Sequence, residues 1–88
     1  MSTNMKIEKL LTLLATIDNV DDFKALMEDL CTTKELENMA ERFYAAELLM
    51  EGKTYSQVME LSTISSATLS RVSRCVQYGK GYKALLQD

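Results

Sequence analysis

Between positions 65 and 74 the chain reads Ser-Ser-Ala-Thr-Leu-Ser-Arg-Val-Ser-Arg, a concentration of hydroxyl and guanidinium groups interleaved with two branched apolar residues. On a helix, Ser66, Ala67 and Ser70 leave a face without bulk, one that can approach the edges of bases. The hydroxyls of Ser65, Ser66, Thr68 and Ser70 can bond bases or phosphates, and the Ala67 methyl can touch that of thymine. Arg71 and Arg74 lie farther along, where a guanidinium reaches a phosphate oxygen, or a guanine edge if the helix is suitably tilted. Lys53 and Tyr55 extend this footprint, and the free N–H groups of helix starts near Thr54 and Ser65 add affinity for anions. The chemistry in view is recognition of double-stranded nucleic acid.

Catalysis finds little support. The chain has no His, and its two cysteines, Cys31 and Cys75, are far apart, so neither a zinc ligand set nor a Cys/His nucleophile pair can be built within one subunit. The carboxylates are scattered on helix faces and there is no Gly-rich phosphate loop, so no catalytic residue, no metal site and no enzyme is expected. Both thiols are expected to be free and at least half-buried.

The elements that must carry the 65–74 cluster are themselves legible. Thr54 and Gln57 have the spacing of a capping box, opening a short helix that turns Val58 and Leu61 inward. Ser62, Thr63 and Ile64 break it, and Ser65 caps a second helix from Ser66 to about Tyr78, with Leu69, Val72 and Val76 inward and Ser66, Ala67, Ser70, Arg71 and Arg74 outward. Residues 54–76 thus read as a helix-turn-helix. Thr63 occupies the turn position usually held by glycine and Met59 that of a small residue, so the packing of the two helices is expected to depart from the common form.

Upstream, Ile7, Leu10, Leu11, Leu14 and Ile17 form an apolar stripe on a helix over Lys6 to Ile17. Asn19 caps a second helix, with Phe23, Leu26, Met27 and Leu30 as its buried stripe, ending near Cys31. Thr32 and Glu35 form another capping box ahead of a long central helix to about Glu51, which Gly52 ends in a left-handed conformation. A last turn or two is expected over Tyr82 to Gln87. With 47% apolar residues, no Pro and no Trp in 88 residues, the composition is that of one all-α domain of about six helices with little core to spare. Residues 1–51 are expected to serve dimerisation.

The formal net charge of −3 conceals a division. Residues 1–51 carry five bases against eleven acids, whereas residues 52–88 carry five bases against two acids. Only the C-terminal part is fit to face a phosphate backbone. The N-terminal stretch reaches Glu8 and Asp18 without a small-residue cleavage site, and no apolar run of eighteen residues exists, so a cytoplasmic protein with no membrane partner is expected.

The segment TTKELENMAERFYAAELLMEGKTYSQVMELSTISSATLSRVSRCVQYGKGYK resembles the Trp-repressor-like regulators of bacteria, in particular the YerC/YecD type, over Leu30 to Leu86. Its most specific elements are ELLMEGKTY, ATLSRVSRC and YGKGYK. The resemblance implies an intertwined homodimer, interlocked through its N-terminal and central helices, that presents two recognition helices to successive major grooves of an operator. It also implies an effector pocket: Trp repressor grips L-tryptophan between two arginines that match Arg42 and Arg71, with Thr32 matching a further pocket residue. A salt bridge from Arg42 to an acid such as Glu37 on its own helix, or Glu35 of a second copy, is expected ahead of ligand binding. Val72 stands where the repressor has a glycine that leaves room for the indole, so no cofactor is expected and tight tryptophan binding is not. The function read from the sequence is a repressor-like, sequence-specific transcriptional regulator; the alternative is a helical protein-interaction module, favoured by the acidic total.

Overall fold

The computed structural model describes residues 1–86, and no strand occurs among them. Six helices follow one another: α1 Thr3–Leu14, α2 Val20–Leu30, α3 Thr33–Met50, α4 Tyr55–Leu61, α5 Ser66–Tyr78 and α6 Gly81–Leu86.

Most helix starts are written within four residues of sequence. The Ser2 hydroxyl accepts the Met5 N–H at 3.2 Å and so begins α1 a turn before the expected Lys6. The helix ends at Leu14 rather than Ile17, because the N–H groups of Thr16 and Ile17 turn back only three residues, to the carbonyls of Leu13 and Leu14. Asn19 caps α2 through the Asp22 N–H at 2.8 Å, and Asp21 and Asp22 sit where the helix dipole favours acids. Thr32 and Glu35 complete their capping box: the Thr32 N–H donates to the Glu35 carboxylate at 2.8 Å, and the Glu35 N–H to the Thr32 hydroxyl at 3.1 Å. The Thr32 backbone N–H, and after it the Thr32 side chain, hold the Glu35 carboxyl below its ordinary pKa. A second box, Thr54 with Gln57, opens α4.

Gly52 has φ +96°, and the N–H groups of Gly52 and Lys53 donate to the carbonyls of Leu49 and Leu48, closing α3 in the crossed pattern of a Schellman motif. An L side chain at that φ would crowd its own backbone. The expected last turn is α6, and Gln87 lies outside the described residues.

The chain divides into two compact units, Met1–Leu36 and the remainder from Glu37. The second unit has a core: Ala45, Ala46 and Leu48 of α3, Val58 of α4, and Leu69 and Val72 of α5 are buried together, with Leu49, Ile64, Val76, Tyr82 and Leu86 packed against them. The two alanines admit close approach at the centre. Two expectations are corrected here. Leu61 is 52% exposed rather than inward, because α4 ends there and only Val58 faces the core. Val76 is only half-buried, at the margin of the cluster.

In the first unit no residue of α1 or α2 is buried. The stripes are present, yet Ile7, Leu10 and Leu11 are exposed, as are Phe23 and Leu30, while Leu14, Ile17, Leu26 and Met27 are half-buried. Ile17, Val20, Phe23, Met27 and Leu36 line an open apolar groove of roughly 540 Å³. The α2 stripe, expected as buried, is instead largely solvent-facing within a single chain, as is that of α1.

Candidate nucleic-acid interface

The helix α5 is two-faced. At about 100° per residue, Ser66, Ser70, Arg74, Ala67 and Arg71 fall within an arc of roughly 140°, and all five are exposed. Leu69, Val72 and Ser73, which are buried, occupy the opposite arc. The apolar anchors therefore seat the helix on the core while its small and basic residues stay free.

Ser65 and Thr68 act as a unit. The Ser65 hydroxyl accepts the Thr68 N–H at 3.2 Å and donates to the Thr68 hydroxyl at 3.0 Å. Thr68 is half-buried and its hydroxyl is committed to the cap, so of the expected base-contacting residues it is the one the fold turns away from solvent. The N–H groups of Ser66 and Ala67 precede the first intrahelical bond, which gives the start of α5 a partial positive charge.

The link Ser62–Ser65 joins α4 to α5. No residue other than glycine has a positive φ among those described, so Thr63 takes the usual glycine place without strain. The link is held at three points. Ser62 bonds the Val58 carbonyl through its N–H at 2.9 Å and its hydroxyl at 2.7 Å. Ile64 packs against the core. The Thr63 N–H donates to the Glu41 carboxylate of α3 at 3.1 Å. Nothing local in the sequence singles out Glu41 from the ten other acids of the first 51 residues.

Lys53 and Tyr55 flank the N-cap of α4, and both are exposed. At one edge of the α5 arc, Arg71 also shares a cavity of roughly 240 Å³ with Arg42, Met39, Val72, Cys75 and Tyr82. The two arginines matched by resemblance are thus brought together. Val72, only 2% exposed, is one of its walls. The remaining expected pocket residue, Thr32, has its hydroxyl engaged in the α3 capping box. Cys31 and Cys75 are both half-buried free thiols.

A helix, a tight link and a second helix with a bare, hydroxylated and basic face are the parts of a DNA-binding regulator. Comparison with known proteins agrees. The family model described as Trp repressor protein matches residues 5–88. The uncharacterized protein YerC of Bacillus subtilis (strain 168) is 32% identical over 74 residues, covering 84% of this chain and 71% of its own. Two solved structures superpose closely. One is a Staphylococcus aureus protein provisionally described as a Trp repressor, with TM-score 0.86 at 30% identity over 93% of this chain and 83% of that one. The other is a TrpR-like protein from Eubacterium eligens ATCC 27750, with TM-score 0.87 at 32% identity over 94% of this chain and 87% of that one. The chain belongs to the Trp repressor family, whose members are regulators rather than enzymes. No helix among the described residues is long and apolar enough to cross a membrane.

Proposed function

We propose that the protein is a repressor-like transcriptional regulator that binds operator DNA in the cytoplasm as a homodimer, reading sequence through α5 of each chain. The observation that carries this reading is the exposed arc of Ser66, Ala67, Ser70, Arg71 and Arg74 on a helix whose other side is buried. Its short side chains allow the backbone close to base edges, and its two guanidinium groups, with Lys53 and Tyr55, supply phosphate contacts. Residues 54–76 form the reading module. The description of the S. aureus relative supports a repressor role.

Residues 1–51 supply the dimer interface. Exposed large apolar residues recur through α1 and α2, more than isolated exposed side chains explain, and Phe43 and Tyr44 of α3 are exposed as well. Burial against a second copy removes that surface from water at about 25 cal/mol per Å². A two-fold dimer would set its reading helices one turn of DNA apart, about 34–36 Å. No cofactor is proposed, since the branched Val72 side chain lines the cavity that Arg42 and Arg71 share and takes up room in it. Isothermal calorimetry with L-tryptophan is expected to show no micromolar binding.

The decisive test is selection of bound duplexes from a random pool, followed by titration of the selected sequence over a salt series. Arg74→Ala is expected to flatten the log–log salt slope by about 0.9, the loss of one phosphate contact. If the wild-type protein enriches no sequence, the reading is wrong.

A further inference from the structure

In a helix-turn-helix the angle at which the second helix leaves the turn decides which side chains reach the bases, so whatever pins the turn shares in recognition. Among the described residues, every side-chain hydrogen bond but one spans six residues or fewer. The exception joins the Glu41 carboxylate of α3 to the Thr63 N–H across 22 residues, and it lands in the middle of the α4–α5 link. The link contains no left-handed glycine to define its course. Its neighbouring fastenings cannot replace Glu41. The Ser62 bonds run back to Val58 and fix only the end of α4, while the Ser65–Thr68 bonds fix only the start of α5. Ile64 is held by apolar packing, which is non-directional.

We propose that Glu41 is a positioning residue for DNA recognition: from outside the helix-turn-helix, its carboxylate oxygen holds the Thr63 amide and so fixes the exit of α5. The inference rests on the DNA-binding reading given above. What the turn requires is an acceptor at this place, not a negative charge; the charge itself opposes the approach of phosphates. Glu41→Gln keeps a carbonyl acceptor of the same reach, and Glu41→Ala removes it.

The ratio of affinity for the selected duplex to affinity for a scrambled one separates the two effects. Both duplexes carry the same charge, so the gain from deleting a carboxylate cancels in the ratio. In Glu41→Ala the ratio is expected to fall by about tenfold. In Glu41→Gln it is expected to stay within about threefold of wild type on the same scale. Amide exchange at Thr63 in the DNA-free full-length protein gives a second readout: protection lost in Glu41→Ala and kept in Glu41→Gln, with amides of Leu69 and Val72 protected in both.

A wild-type ratio in Glu41→Ala would overturn the proposal, as would Gln behaving like Ala or a Thr63 amide indifferent to either substitution. Should wild type enrich no duplex, the functional reading fails by itself. Thr63 exchange then still decides whether Glu41 fixes the turn.

Discussion

The two units of this chain spend similar apolar material differently. From Glu37 onward, residues of α3, α4 and α5 converge on Ala45, Ala46, Leu48, Val58, Leu69 and Val72, and the region has an interior of its own. Over Met1–Leu36 the helices are as regular and as well capped, yet none of α1 or α2 is buried. Leu11 is 57% exposed and Phe23 39%. Regular secondary structure is therefore no sign of a finished core: in one region the stripe meets its complement within the chain, and in the other it does not.

The sharpest way to break that contrast is to truncate one residue on each side of it. Leu69→Ala removes a fully buried side chain and is expected to destabilise by about 2–5 kcal/mol in denaturant titration, whatever the protein concentration. Leu11→Ala should reveal its cost only as a thermal midpoint that depends on concentration. Equal and concentration-independent losses at both sites would dissolve the distinction.

Next in size is the interface itself. Leu11→Asp combined with Phe23→Asp places two charges on the surface that a second copy would cover. Self-association measured by sedimentation is expected to weaken by at least about a hundredfold, as desolvating unpaired carboxylates requires. Helical content from Glu37 onward should survive; wild-type sedimentation of this variant would refute the dimer surface.

Within the second unit, glycine positions test local conformation rather than packing. Gly52→Ala forces a side chain into φ +96° and is expected to cost about 1–2 kcal/mol, although nothing lies within 4 Å of the added carbon. Gly81→Ala, also in open space but with no such φ, should shift stability by less than about 0.5 kcal/mol or improve it. Matching effects at the two glycines would show that backbone strain is not what Gly52 relieves.

The smallest effect belongs to the first unit. Because the Thr32 N–H and side chain lower the Glu35 pKa in the folded chain, the box adds stability above the ordinary carboxylate pKa. That contribution is lost as pH falls from the ordinary value through the lowered one. Glu35→Gln, which keeps an acceptor for the Thr32 N–H but cannot titrate, should erase this part of the acid dependence while leaving the rest of the melting curve against pH in place. An unaltered dependence would mean the box contributes nothing to folding.

What was legible in the sequence was chiefly local. The caps at Asn19, Thr32, Thr54 and Ser65, the left-handed Gly52 and the exposed arc of α5 are encoded within one or two turns, and each could be read from residue type and spacing. Burial was harder to read. Periodicity marks which face of a helix is apolar and says nothing of whether the covering surface lies in the same chain, so the stripe of α2 reads as buried from the sequence and is not. Leu61 fits the period of α4 but sits at its last residue, where the helix ends before the core is reached. The Glu41–Thr63 bond had no sequence signature at all, since it joins residues that only tertiary structure brings together.

The bare side of α5 has a consequence for change over time. Ser66, Ala67 and Ser70 touch nothing that the interior needs, and the link before them demands no special backbone conformation. On the proposed reading, address and chassis are thus separable: new preferences for a target can be written at those three letters while the protein that carries them stays as robust as before.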